Sequence, residues 1–454
     1  MTRYFAGLDL GSTSMKLLLV SDTGDELVHH IPTPWVSGAG GTTSIELTAV
    51  QAAVRGLVEQ ASEQLPQGSR VVALAAAGMG ETGFLVTAEG PVAPGFAWFD
   101  PRGSDQVDAF PPQLREEFAG RTGLPWGVQV SAAKMLFLKD SGAWSRDAQW
   151  VNLPELAISV LGGELVSEYS LASRTGLLDQ QTGRAWPELL DYLGVPETFL
   201  PRLVEAGTHL GYATAGWLPE AFRGAALTVA GHDHLVAAVS GGAERDAYHL
   251  SMGTAEVLLR ALDNPLTFDA RRRLADALIN CVRHVVPGEF VLVAGVKSGL
   301  IMRRTLQLVG VTDRAGRDKL DREVTALKSS ALPPDALEVS GARNDDGVLR
   351  LTVRADGLSP AELFRAVLEH SNDELELLIA AMDREVPPAR ATLVTGGWAE
   401  MDSVLELRSE VLPNIYTSTR VQETASGAVL FARRLIEALE ELEGTESDAR
   451  TEHH

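Results

Sequence analysis

Across 454 residues there is one cysteine, Cys281, so neither an internal disulfide nor a thiolate metal centre can form, and a reducing compartment, the cytoplasm, is the expected location. Positive charge is scarce as well. Lys and Arg number 39 against 61 Asp and Glu, a net charge of −22, which excludes broad contact with nucleic acid or an anionic membrane and confines any phosphate binding to local sites. No uncharged apolar run reaches the ~18 residues of a membrane span. The first apolar stretch carries Arg3 and Asp9, which is not the pattern of a secretory leader. The length suggests two domains.

What is present begins with FAGLDLGSTSMKLLLV. Residues 4–9 and 14–20 read as strands around a Gly11-Ser12-Thr13 turn, and SDTGDE turns the chain again into LVHHIPT, giving an antiparallel meander. The spacing of apolar residues over 44–65 predicts an amphipathic helix and RVVALAAAG (70–78) a buried strand. Residues 103–220 read as a mostly helical insertion or lid. At 247–262, HLSM meets Gly253-Thr254 and leaves as EVLLRAL, repeating the opening hairpin. The repeat implies a duplicated α/β unit with a boundary before Ala247, domains at 1–245 and 246–442, and a polar tail at 443–454. Ser359, Pro360 and Glu362 predict a capped helix over 359–386. A strand at 391–397, a helix at 401–412, a strand at NIYTST and a last helix at 423–443 complete the α/β pattern.

A glycine at the bend of a strand-turn-strand lets an anion approach backbone N–H groups. Two such turns on opposite walls of a cleft fit a triphosphate, and Asp9 beside them suits Mg²⁺ held through water; alternatively Asp9 caps its own turn. In VAGHDHLVAAVSGG, Asp233 stands at the start of a helix. It is either an N-cap or a base for a substrate hydroxyl, with His232 and His234 as hydrogen-bonding neighbours rather than zinc ligands. In FAWFDPRGSD, Trp98, Asp100, Arg102 and Asp105 offer the ring face and paired charges that a polyhydroxylated ligand needs; the alternative is an Asp100–Arg102 ion pair beside a core tryptophan.

The order and spacing of these segments resemble the FGGY family of carbohydrate kinases over about residues 4–440. The first phosphate motif is FAGLDLGSTSMKLLL, the sugar-contact regions are LAAAGMGETGFLVTAEG and FAWFDPRGSD, and SEYSLASRTGLLD is a connecting segment. AGHDHLVAAVSGG, HLSMGTAE, TLVTGGWAE and VQETASGAVLFA follow in order. The resemblance implies two actin-like, ribonuclease-H-like domains with ATP and a sugar or polyol meeting in the interdomain cleft. It implies Asp233 as general base and Asp9, Gly11, Ser12, Thr13 and Lys16 at the phosphates, with Asp9 and Asp233 near Mg²⁺. Gly253 and Thr254 form the second clamp, and Gly396, Gly397, Trp398 and Gly427 the adenosine wall. Met79, Gly80, Glu81, Trp98, Asp100, Arg102, Asp233 and His234 fall on the acceptor side.

The chain departs from the family pattern where Trp398 replaces a small residue, where RSEVLPNIYTST replaces the usual segment, and where GMGETG lacks the xylulokinase histidine. His234 also stands where a xylulokinase has asparagine, so D-xylulose is not the expected acceptor. A ketose is expected, and the acidic Glu81, Asp100 and Asp105 disfavour an anionic aldonate. The rival reading is an actin-like ATPase or nucleotide-switched module without acceptor. A homodimer is left open.

Overall fold

The computed structural model describes residues 2–327, 336–341, 348–418 and 423–451, the last nine of these by backbone alone. The opening meander forms as its sequence dictates: β1 (Arg3–Leu10), β2 (Ser14–Ser21) and β3 (Glu26–Pro32) pair antiparallel in turn. The second bend is tied by the Ser21 hydroxyl, which accepts from the Asp25 N–H at 2.8 Å. β4 (Arg70–Gly78) and β5 (Ala226–His232) add parallel strands, giving the order β5-β4-β1-β2-β3. The second sheet repeats the plan. β6 (Ala247–Met252), β7 (Glu256–Leu262) and β9 (Phe290–Val296) are antiparallel, β8 (Ile279–Arg283) extends the β9 edge, and β10 (Ala391–Thr395) and β11 (Ile415–Thr417) run parallel to β6. Two sheets, each a meander continued by parallel strands, are the two-domain actin-like fold.

Alternation along β1 sends its side chains to two cores. Tyr4, Ala6, Leu8 and Leu10 pack with Val50, Val54, Leu57 and Val58 of α1 (Leu47–Gln64). Phe5 faces the opposite layer, with Leu18, Ala73 and Ala75. The interval from Ser104 to Leu193 holds short helices and strand pairs of two to four residues rather than another large sheet, as its turn-rich sequence suggests.

α2 (Asp233–Gly241) follows β5, α3 (Ser298–Leu308) follows β9, and α4 (Pro360–Met382) covers the second sheet. The capping box forms: the Ser359 hydroxyl accepts from the Glu362 N–H and Glu362 accepts from the Ser359 N–H at 2.8 Å. α5 (Asp402–Arg408) is shorter than the expected 401–412. The last helix, α6 (Glu423–Thr451), differs from expectation in two ways. Its backbone stays helical past Glu443, through GTESDART, where a tail is expected; residues 452–454 lie outside the described residues. Its apolar face, Ala425, Ala428, Val429, Phe431 and Leu435, packs on the first sheet rather than the second. Periodicity reveals that a helix has an apolar face, not which sheet receives it.

Candidate active site

Asp9 ends β1, where register places it opposite Lys16 of β2. The Gly11–Thr13 turn is held from behind: the Thr33 hydroxyl donates to the Gly11 carbonyl at 2.7 Å, the Trp35 indole to the Ser12 carbonyl at 2.7 Å, and the Thr33 N–H to the Thr13 carbonyl at 3.1 Å. Asp9 is only 8% exposed. Burial, then the neighbouring Asp233 carboxylate, push its pKa up to about 7 against the pull of Lys16. No described group donates a hydrogen bond to its side chain, so it does not cap its own turn.

Asp233 opens α2 immediately after β5. One oxygen, Oδ1, accepts the His234 N–H at 2.7 Å and lies 3.4 Å from His232 Nδ1. Burial would raise its pKa, but His234, His232, that hydrogen bond and Arg174 together hold it below the usual carboxylate range. His232 itself is driven by burial down to about 4, and is therefore neutral at physiological pH. The strand end is anchored by the His232 N–H, which donates to the Ser170 hydroxyl at 3.0 Å; Ser170 in turn donates to buried Glu168 at 2.5 Å. With Oδ1 committed, Oδ2 is the oxygen left to take a proton.

Two neighbouring carboxylates that repel one another, Asp9 buried and without a hydrogen bond and Asp233 partly exposed, are a donor set suited to a hard cation. Among the described residues no three metal-ligating side chains cluster. A cation here would complete its shell with water or substrate oxygens, as Mg²⁺ does.

The acceptor-side residues divide. Met79 is 4% exposed and packs in the core, its N–H on the Leu10 carbonyl at 3.3 Å. Asp100 is fully buried, and its carboxylate is saturated by the Arg102 N–H (2.8 Å), Nε (2.9 Å) and Nη2 (2.6 Å) and the Thr43 N–H (2.5 Å). Lys134 donates to the Asp100 and Arg102 carbonyls, and the Arg102 guanidinium lies 3.8 Å from the Phe96 ring centroid. Asp100 and Arg102 thus brace the loop, while Asp105 lies apart on the short helix that follows. The loop's tip, Trp98, stays partly exposed, with its ring under the Lys297 ammonium at 4.8 Å. Glu81, beyond Gly80, is paired with Arg174, whose Nε donates to Oε1 at 2.7 Å. His234 lies 5.6 Å, ring to ring, from His232 and close enough to His249 of β6 to affect it.

The second turn is likewise supported. Gly299 of α3 backs onto the Gly253 and Thr254 carbonyls, and Gly396, at φ 93°, lies against the end of β6: a Cβ there would stand 2.6 Å from the Met252 carbonyl oxygen. Gly397 and Trp398 begin the turn Gly397–Glu400, and Trp398 packs towards Phe364. Glu256, just past the turn, is fully buried with Arg408, whose Nη2 meets both carboxylate oxygens at 2.9 Å. Gly427 lies elsewhere, in the packing of α6 on α2 against Val236. Beside the Gly397–Glu400 turn, a cavity of about 540 Å³ is lined by Arg303, Gln307, Thr312 and Arg317, the last paired with Glu400 at 3.0 Å.

Sequence reasoning did not single out Arg174 and Lys297. Arg174 stands in the quoted ASRT segment with no signal of its role, and Lys297 is identified only by its reach across to Trp98.

The comparisons bear on the family and the fold. L-fuculokinase of Escherichia coli (strain K12) is 26% identical over 265 residues, covering 56% of this chain and 55% of that enzyme. The chain spans about half the length of several curated relatives that it matches. Glycerol kinase of Deinococcus radiodurans is 26% identical over 473 residues, covering 95% and 88%. Among solved structures, a xyloylose kinase from Brucella ovis superposes with a TM-score of 0.82 at 20% identity, over 96% of this chain and 91% of that one. Plasmodium falciparum glycerol kinase with ADP gives 0.79 at 14%, over 96% and 90%. These last two likenesses bear on the fold. Residues 4–240 match the N-terminal domain of the FGGY family of carbohydrate kinases, and the chain belongs to that family.

Proposed function

We propose that the protein transfers the γ-phosphoryl group of ATP to a hydroxyl of a sugar or polyol, with a ketose first among the acceptors. The observation that carries this reading is the pair of neighbouring carboxylates, buried Asp9 and partly exposed Asp233, beside the Gly11–Thr13 turn. Asp233 accepts the hydroxyl proton as that oxygen attacks phosphorus. Asp9, with Asp233, would hold Mg²⁺, which when bound neutralises charge on the phosphates. Lys16 and the N–H groups of Gly11, Ser12 and Thr13 serve one side of the polyphosphate, and Gly253 and Thr254 the other.

The nucleoside belongs in the Arg303 cavity. Arg303 is four residues beyond Gly299 on α3, about 6 Å at the helical rise, so the cavity begins one turn from the second clamp. Its volume suits a small-molecule site. A ketose is favoured because relatives at low identity are named L-fuculokinase, xylulose kinase and rhamnulokinase. The division near residue 245, with acceptor and base on the first lobe and nucleotide on the second, and a cytoplasmic location belong to the same proposal. Among the described residues, no helix is long and apolar enough to cross a membrane.

The test is coupled ADP release with Mg-ATP across ketoses, aldoses, polyols and cyclitols. One acceptor should give strong release, and Asp233→Ala should lower turnover by ~10²–10⁴. Release that ignores every acceptor would replace this reading with an ATPase module.

A further inference from the structure

β5 does not run straight into Asp233. Its pairing with β4 joins Val229 to Ala76 and then Gly231 to Ala77, which leaves Ala230 as an extra residue. Such a bulge bends its strand and re-aims the side chains beyond it. Gly231 takes φ 110°, and a Cβ there would stand 2.6 Å from both Ser170 Oγ and Val285 Cγ1. The bend that presents Asp233 is therefore held between two outside segments, one around Ser170 and one just past β8 of the second sheet.

The first segment is a single helical turn, Tyr169–Ala172, capped by Glu168, whose carboxylate accepts the Ser170 and Leu171 N–H groups at 3.0 and 3.1 Å. The Glu168 N–H is itself fixed on buried Glu155 at 2.6 Å. Through the Ser170 hydroxyl this turn holds the His232 N–H. Its other side is gripped by β8. The Arg283 N–H donates to the Ser173 hydroxyl at 3.4 Å, and Ser173 donates to the Tyr169 carbonyl at 2.7 Å. The Arg283 guanidinium lies 4.8 Å from the Tyr169 ring centroid and 5.0 Å from that of Phe290 in β9. Gly183, at φ 67°, makes room for it: a Cβ there would stand 2.7 Å from Nη2. A cation on two ring faces attracts both, so one side chain ties β8 and β9 to the turn that fixes the strand end. Its charge also opposes the effect of burial on Glu205, the carboxylate that bears on Glu168.

We propose that Arg283 is a positioning residue for the general base, passing the placement of the second sheet through Tyr169 and Ser170 to the backbone that aims Asp233. The inference rests on the kinase reading above. In this role Arg283 acts on the reaction only through Ser170 and His232, and what it sets is whether Asp233 Oδ2 meets the attacking hydroxyl.

The experiment is a double-mutant cycle of Arg283→Lys and Ser170→Ala, at the two ends of the path, with Mg-ATP and whichever of xylulose, L-fuculose and glycerol gives the strongest ADP release. Lysine keeps the charge but not the flat face that lies on the rings. The single-turnover rate of each variant should fall about tenfold, the cost of a base displaced by a fraction of an ångström, while the acceptor and ATP KM values stay within about twofold. Because both variants break one path, the double variant should also be slowed about tenfold rather than about a hundredfold. Tyr169→Leu, which removes only the ring face, should give the same loss and takes the place of Arg283→Lys in the cycle if the lysine variant does not fold. Losses that multiply in the double variant overturn the inference, as does an unchanged rate in Arg283→Lys. Raised KM values and a lowered Tm with an unchanged single-turnover rate would mark Arg283 as a structural brace and overturn it too. A wild type that releases ADP with no acceptor removes the kinase reading itself, a distinct result.

Discussion

Asp9 and Asp233 are chemically alike, yet their surroundings drive them apart: burial and its neighbour push Asp9 up to about 7, while His234, whose N–H Asp233 accepts, and Arg174 keep Asp233 ionised. A carboxyl whose folded pKa lies above its ordinary value stabilises the fold in its protonated form. That contribution is complete below the unfolded pKa, 3.8, and is lost as pH rises through about 7. Asp9→Asn, neutral throughout, should therefore melt above the parent at pH 8, with the gap closing towards pH 5, and should lose Mg-nucleotide binding. A gap of the same size at both pH values, followed by calorimetry, would show that Asp9 is not the titrating group. Asp9 and Asp233 were legible because each follows a buried strand in a recognisable motif. Asp100 and Arg102 were legible as a pair, but whether they face a ligand or each other depends on Thr43 and Lys134, brought from distant segments.

At the level of elements, the second turn depends on an ion pair beneath it. Glu256 begins β7, Arg408 ends α5, and Asn372 of α4 accepts from the same guanidinium. Truncating Arg408 to Ala leaves a buried carboxylate uncompensated, a loss of about 3–5 kcal/mol. The double variant Arg408→Met, Glu256→Leu should recover most of it. Urea unfolding of the set checks this, and a double variant as weak as the single would show that the charge itself is not the cause. Elements governed by local pattern were readable in advance: the meander, the capped α4 and both glycine turns. The destination of α6 was not, because it is set by close backbone approach at Gly7 and Gly427, and contacts across hundreds of residues leave no periodic trace.

On the scale of the whole molecule, Lys297, at the start of α3 beside the second sheet, lies over Trp98 of the 96–105 loop of the first lobe. On the proposed division of acceptor and nucleotide between the two lobes, binding both should bring the lobes together. Small-angle scattering should show a smaller radius of gyration with Mg-ADP plus acceptor than with either alone, and an unchanged radius would argue for a rigid cleft. The path of α6 has a further consequence. Its Ala425, Ala428, Val429 and Phe431 cover the layer formed by Phe5, Leu18, Ala73 and Ala75, which the ribosome makes 350 or more residues earlier. Throughout synthesis that face stays bare and sticky, so the nascent chain is exposed to misassembly until its closing helix emerges, and holdase chaperones have a defined patch to shield in the meantime.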